Sequence, residues 1–302
     1  MSGGDAGDGA PSGDGGASSG GGVLYVVATP IGNLSDVTLR ALEILAAVPL
    51  IAAEDTRLSK RLLDRHGVSG RLTSYHSRSG PGRLASLLEH LRGGADLALI
   101  TDAGTPAVSD PGADLVAAWA GEGGRVVPIP GASAVLAAVA ASGMTGPRWS
   151  FEGFLPRSGR DRKDRLAAIA ADERGSVLFE APGRVAATLR DLATACGAGR
   201  TGAVCRELTK LHEQIVRGTL GELATAVGDG TIPARGEFVL VVGMGAGAGG
   251  PAGAQVANDR EADARLEVDR LVAAGAGRSE AARQVAAATG IPRRRLYGAR
   301  PG

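Results

Sequence analysis

Leu99-Ile100-Thr101-Asp102-Ala103-Gly104-Thr105-Pro106-Ala107-Val108-Ser109-Asp110-Pro111-Gly112 is the stretch that decides how this 302-residue chain is read. The apolar run from Leu97 to Ile100 predicts a buried strand. It stops at a loop of small residues, Asp102 to Thr105. Asp110-Pro111 then reads as the N-cap and first residue of the next helix. A small-residue loop at the carboxyl end of a strand lets a ligand lie against backbone N–H and C=O groups. In open α/β sheets that crevice is where ligands bind, so the stretch predicts a site for a small polar ligand.

Two further turns of the same kind flank it. Ala28-Thr29-Pro30-Ile31-Gly32-Asn33 follows the strand expected over Val23 to Ala28. Pro128-Ile129-Pro130-Gly131-Ala132-Ser133-Ala134 follows the strand expected over Val126 to Ile129. In the latter, Gly131 permits close backbone approach, and Ser133 can both cap a helix and contact a ligand. Neither turn has the G-x-G-x-x-G spacing of a dinucleotide site, and the chain has no P-loop lysine. Any one of them alone reads as a plain turn; three at one sheet edge read as a site.

The remaining signals alternate strand and helix with short connections, which indicates a parallel sheet covered on both faces. Strands are expected at Leu50 to Ala53 and Leu72 to Tyr75, and helices at Val37 to Ala47 and around 81–92, 113–121 and 133–141. Ser142 to Arg148, with two Gly and a Pro, reads as a boundary between domains 23–146 and 147–243. The second half predicts strands at 149–153, 176–180, 202–206, 213–218 and 237–242, with helices at 161–171, 184–196 and 220–227. Its fourth strand follows the third closely, so this sheet is expected to be mixed. Residues 1–22, nearly without packing side chains, are read as a disordered tail. The stretch from Gly243 to about Asn258 is rich in Gly and Ala, and 244–260 is read as a flexible linker. Residues 261–302 read as a small helix-turn-helix-like extension: Asp263 to Ala273, a helix capped by Ser279, and a third starting at Pro292. Its Arg293, Arg294 and Arg295 are either a nucleic-acid-facing end or a solvated basic surface.

Composition bounds the function classes. Hydrophobic residues make up 44% and aromatics 3%, so the cores must be built from Ala, Val, Leu and Ile. A net charge of +1, from 33 basic and 32 acidic residues, neither demands nor forbids a nucleic-acid partner. Cys196 and Cys205 lack the spacing of a zinc site or redox pair and read as small hydrophobes, so no metal is expected. No uncharged apolar stretch reaches the roughly 18 residues that span a bilayer. With no secretory signal, the expectation is a cytoplasmic protein with no membrane partner.

Charges gather where strands end. Glu54-Asp55-Thr56-Arg57 reads either as an N-cap with a solvated salt bridge or as part of the ligand edge. His76 reads either as a surface histidine or as an acid/base group. Glu180-Ala-Pro-Gly-Arg184 and Arg206-Glu207-Leu208-Thr209-Lys210 repeat the pattern in the second half. Arg157, Arg160, Arg162, Lys163 and Arg165 crowd one segment beside Asp161 and Asp164. That density suits phosphate contacts, and a solvated helix face with i,i+4 pairs is the plain alternative.

Taken together, VATPIGN at 27–33, AEDTR at 53–57, DAGTPAVSDPG at 102–112, PGAS at 130–133, FEGFLP at 151–156, RELTKLHE at 206–213 and GEFVLVV at 236–242 resemble the tetrapyrrole-methylase-type, S-adenosylmethionine-dependent methyltransferases. Within them they resemble the branch that methylates ribose 2′-hydroxyls of small-subunit ribosomal RNA. The resemblance implies two α/β domains of tetrapyrrole methylase type with a small C-terminal helical extension, usually a homodimer, with the cofactor in the cleft between domains. It implies S-adenosylmethionine held by Pro30, Asp102, Ala103, Gly104 and Thr105, with Ser133 and Ala134 opposite and main-chain contacts near Phe179 and Leu208. The implied substrate is a cytidine ribose in the decoding region, in ribosomal RNA or the assembled 30S subunit. A ribose hydroxyl is a weak nucleophile, so a group must accept or polarise its proton. The candidates are Glu54, Asp55, His76, Glu207 and Lys210, with Arg57, Arg184, Arg157, Arg160, Arg162 and Lys163 on phosphates. Two rivals stand beside this: a tetrapyrrole C-methyltransferase, which the charged strings disfavour, and a regulator reading DNA with its last helix.

Overall fold

A computed structural model describes residues 20–245, 251–289, 291 and 293–296. The contacts divide the chain into two units, residues up to Ser133 and residues from Ala134.

The first unit is organised around β4 (Leu97–Ile100), whose four residues are all buried. A strand apolar on both faces needs cover on both, and parallel neighbours joined by helical crossovers provide it. β1 (Leu24–Val27), β2 (Leu50–Ala53), β3 (Leu72–Ser74) and β5 (Val126–Ile129) complete an all-parallel sheet in the order β3-β2-β4-β1-β5. α1 (Leu39–Ala47), α2 (Thr56–Arg65), α3 (Pro81–Arg92) and α4 (Ala113–Gly121) form the connections. One core gathers Leu87, Leu91, Leu99, Leu115 and Trp119, and another Leu45, Ile51, Leu63 and Ile100. All parallel strands end at one edge, so the turns after β1, β4 and β5 share it.

The second unit carries α5 (Ala134–Ser142), β6 (Trp149–Phe154), α6 (Gly159–Ala171), β7 (Gly175–Glu180), α7 (Val185–Cys196), β8 (Thr201–Arg206), β9 (Gln214–Thr219), α8 (Leu220–Gly228) and β10 (Phe238–Val242). Its sheet runs β6-β7-β10-β8-β9. Only β6 and β7 are parallel; β7-β10, β10-β8 and β8-β9 are antiparallel, so the expected mixed sheet is found. α8 opens with a full capping box: Thr219 Oγ1 accepts from the Glu222 N–H, and the Glu222 carboxylate accepts from the Thr219 N–H. α9 (Pro251–Ala273), α10 (Arg278–Thr289) and α11 (Arg293–Leu296) pack on their own small core of Val268, Ala281, Ala282, Val285 and Leu296.

The structure corrects several expectations. The division falls at Ser133/Ala134 rather than near 146/147, because α5 packs against strands of the second sheet. α4 begins at Ala113 with Gly112 as its N-cap, so Asp110 does not cap it. The segment read as linker is helical from Pro251 onward, since alanine is the strongest helix former and offsets the glycines. α2 was not among the expected helices. Residues 1–19, 246–250 and Pro292 lie outside the described residues, and with them most of the expected tail and part of the expected linker. Burial raises the Cys196 thiol and pushes Cys205 up to about 11, in keeping with small hydrophobes.

Candidate functional site

Among the described residues, four that are not glycine hold positive φ: Ala107 at 68°, Ser109 at 65°, Glu207 at 52° and Thr209 at 65°. Each such conformation costs about 1–3 kcal/mol and persists only where the surroundings enforce it, most often at functional loops. The first pair lies in the 102–112 stretch and the second in the 206–210 stretch.

In the first unit, the turns after β1, β4 and β5 are joined to one another. Thr29 and Gly104 exchange two main-chain hydrogen bonds, N to O at 2.8 and 3.0 Å. The buried Thr29 hydroxyl also donates to the Thr101 carbonyl at 3.0 Å. Thr105 Oγ1 donates to the Ala132 carbonyl at 3.4 Å. Gly131 lets the third turn close on the first, since a Cβ there would sit 3.0 Å from the Ala28 methyl. Pro30 is buried in the first turn, and Asp102 and Ala103 stand exposed at the tip of the second.

The end of β2 supplies charge to this edge. Glu54 Oε2 accepts from Thr101 Oγ1 at 2.7 Å, and Asp102 Oδ1 accepts the Asp55 N–H at 2.9 Å. Asp110 belongs to the same group. Its burial and the Glu54 charge push its carboxyl up to about 6, with Asp102 adding to the shift and a Thr101 hydrogen bond opposing it. Burial also raises Asp102, joined by the Glu54 and Asp55 charges. Asp55 itself is turned to Arg57, which holds it down at about 2 through a two-pronged contact at 2.8 and 3.1 Å. Among the described residues Glu54, Asp102 and Asp110 form no ion pair, so this edge carries uncompensated negative charge above main-chain groups. Sequence reading missed Asp110 as a member. His76 is exposed, and its Nδ1 accepts the Arg78 N–H at 3.1 Å. A neutral ring so placed carries its proton on Nε2.

The second unit pairs its charges. Lys210 Nζ lies 2.9 Å from Glu207 Oε1 and 3.0 Å from Glu237 Oε2. Burial works against its charge, but the two carboxylates outweigh it and leave Lys210 above its usual range. Glu207 is lowered in turn by the Lys210 hydrogen bond and by the Glu237 N–H. The two carboxylates thus hold Lys210 as a cation in the free protein, an arrangement that suits polarising a proton rather than accepting it. Leu208 is buried between these residues, and Phe179, near the end of β7, is half-buried. The buried Arg206 ties the loop by donating to the carbonyls of Arg235 and His212 and to Gln214.

Two of the expected phosphate contacts turn inward. Arg162, with its side chain 11% exposed, donates to Asp191 at 2.7 and 3.0 Å, to Thr188 at 2.9 Å and to the Pro156 carbonyl at 3.0 Å. Arg184 donates to the Leu155 carbonyl at 2.7 Å and pairs at 3.2 Å with Glu180, whose side chain is fully buried. Glu180 also accepts from the Thr188 hydroxyl at 2.6 Å. These arginines complete an interior network that engages all three nitrogens of Arg162 and two of Arg184. Arg57, Arg157, Arg160 and Lys163 remain on the surface.

Residues 23–224 match the family of Tetrapyrrole (Corrin/Porphyrin) Methylases, and the chain belongs to this family of S-adenosylmethionine-dependent methyltransferases. It is similar to solved structures of the same fold. One is a cobalt precorrin-4 methyltransferase, 19% identical with TM-score 0.57, the match covering 73% of this chain and 94% of that one. Another is the uroporphyrin-III C-methyl transferase from Thermus thermophilus complexed with S-adenosyl homocysteine, 19% identical with TM-score 0.53, covering 74% and 97%. Much nearer in sequence is the ribosomal RNA small subunit methyltransferase I of a Synechocystis species, 47% identical over 280 residues, covering 91% of this chain and 96% of that protein. The Bacillus subtilis protein of the same name is 38% identical over 288 residues, covering 92% and 94%. Among the described residues no helix is long and apolar enough to cross a membrane.

Proposed function

We propose that this chain transfers the methyl group of S-adenosylmethionine to the 2′-hydroxyl of a cytidine in the decoding region of small-subunit ribosomal RNA. The observation that carries the reading is the identity of 38–47% over about nine-tenths of the chain to proteins named for methylating that RNA. Exposed cations at Arg57, Arg157, Arg160 and Lys163 suit a polyanionic partner. The homodimer and the cytoplasmic location expected above belong to the same proposal.

The donor fits the first unit by charge and by backbone. Bound there, it supplies an activated methyl group on a sulfonium, ready for displacement. Asp102 would hold it by its charge and, with Ala103, Gly104 and Thr105, through main-chain groups, with Pro30 and Ser133 on the adjoining turns. The uncompensated Glu54, Asp102 and Asp110 favour a cationic ligand over an anionic one.

The chain's own chemistry is alignment and proton handling. Of the candidates, Lys210 is held charged, Glu207 is shared with it, and His76 has its unprotonated nitrogen occupied by Arg78. Glu54 is positioned by the Thr101 hydroxyl and neutralised by no cation, so it is the group that accepts the ribose proton. The test is transfer of labelled methyl to small ribosomal subunits, followed by digestion to nucleosides. Label in 2′-O-methylcytidine, lost with Glu54→Gln at the level of kcat, supports the reading. Label on a base, or none, overturns it.

A further inference from the structure

Three of the chain's four phenylalanines, Phe151, Phe154 and Phe179, meet on one face of the second sheet. Side chains alternate along a strand, so residues three apart should face opposite ways. The pairing of β6 with β7 instead shifts register between Phe151 and Gly153, where Gly153 adopts φ 60°. The extra residue of this bulge returns Phe154 to the face of Phe151. Phe154 then lies opposite Phe179 in the ladder. Its ring stands 5.6 Å from that of Phe179, and Phe151 meets the same ring edge-on at 5.0 Å. Despite this support Phe154 stays 53% exposed. A lone exposed apolar residue needs no explanation, but a ring turned outward by a bulge and backed by Phe179, which Phe151 braces in turn, in a chain with 3% aromatics, is a built feature.

The backbone just beyond Phe154 is equally fixed. Arg184 holds the Leu155 carbonyl at 2.7 Å and Arg162 the Pro156 carbonyl at 3.0 Å. From that anchored point the chain enters Arg157, Arg160 and Lys163, all exposed. Arg160 pairs only loosely with Asp164, at 3.4 Å with both side chains in solvent. Arg160 and Lys163 sit i,i+3 on α6 and so share a face.

We propose that Phe154 is a stacking platform for an unpaired base of the RNA substrate, with Arg157, Arg160 and Lys163 taking the flanking phosphates. This rests on the RNA reading above and adds the residue that grips the strand. Single-stranded RNA is recognised by stacking splayed bases on aromatic faces while cations track the backbone. The neighbouring charge selects this occupant over a second copy of the chain, because a two-fold contact would set these three cations against themselves, whereas a phosphate backbone neutralises them. Arg162 and Arg184 act as positioning residues, setting the loop rather than touching RNA.

The test compares wild type with Phe154→Leu, which keeps apolar bulk against Phe179 but removes the π-face, and Phe154→Trp, which restores it. Binding of small ribosomal subunits and of a short cytidine-containing single-stranded oligoribonucleotide is measured beside calorimetry with S-adenosylmethionine and sedimentation. The expected result is RNA affinity reduced about tenfold in Phe154→Leu and recovered in Phe154→Trp, with donor affinity and oligomeric state unchanged in both. RNA affinity equal to wild type in Phe154→Leu overturns the proposal. So does a change confined to donor affinity or to sedimentation, which would assign the ring to the cofactor or to an interface between copies. If wild type binds and methylates no RNA, the substrate reading falls and takes this inference with it.

Discussion

The two units handle charge in opposite ways. At the carboxyl edge of the parallel sheet, Glu54, Asp102 and Asp110 crowd together with no ion pair among the described residues, and burial and mutual repulsion raise Asp102 and Asp110. Among the described residues of the mixed sheet, buried Glu180 and Arg162 each meet an opposite charge, Arg184 and Asp191, and buried Arg206 is held by two carbonyls and an amide. Compensated networks hold a fold in one arrangement. An uncompensated edge is held at a cost to stability that a cationic ligand relieves. The contrast separates residues that build the molecule from residues that meet its ligand, although both sets looked alike as charged strings.

If that contrast is right, Arg162→Ala has the largest effect of these substitutions, and it acts on stability. It removes a nearly buried guanidinium with its hydrogen bonds to Asp191, Thr188 and the Pro156 carbonyl, and should cost about 3 kcal/mol in urea unfolding, with donor affinity unchanged. A loss of RNA binding with stability intact would return Arg162 to the phosphate contacts and break the comparison. Asp102→Ala should act in the reverse sense, weakening S-adenosylmethionine binding by about ten- to a hundredfold in calorimetry while the unfolding midpoint barely moves.

A smaller effect tests the repulsion itself. Asp110 has a folded value of about 6 against an ordinary 3.8. Protonation therefore favours the native state: the stabilising contribution is complete below the ordinary value and is lost as pH rises through 6. Asp110→Asn should then stabilise the protein at pH 7.5 by about 1 kcal/mol, allowing for the carboxyl's partial exposure, and by nothing measurable near pH 4. Equal gains at both pH values would mean that the substitution repairs packing rather than charge. Smallest of all, Arg57→Ala should leave the unfolding midpoint unchanged, because its pairing with Asp55 is in solvent.

Much of this was legible in sequence, and the failures have a common cause. The three small-residue turns could be read because each is local, and the strand–helix alternation, which implies parallel strands, placed them at one edge. α3 and α4 were legible from helical spacing alone. α2 was not, because Thr56 to Arg65 carries only Leu58, Leu62 and Leu63 among polar residues and opens inside the charged string at 53–57. Arg162 and Arg184 read as surface cations since their partners lie up to 29 residues away in the chain, beyond any local pattern. Asp110 looked like a helix cap for the same reason: what claims it instead is Glu54 and Thr101, brought in by β2 and β4. The bulge at Gly153 left no signal except the glycine.

The central claim is that the methyl donor rests on the backbone of the three joined turns in the first unit. Amide hydrogen exchange of the full chain, with and without S-adenosylmethionine, reads that backbone directly. Protection should concentrate at residues 28–33, 101–106 and 129–134, with weaker effects at 53–57. Donor-dependent protection that bypasses all three turns, or none at saturating donor, would contradict the account.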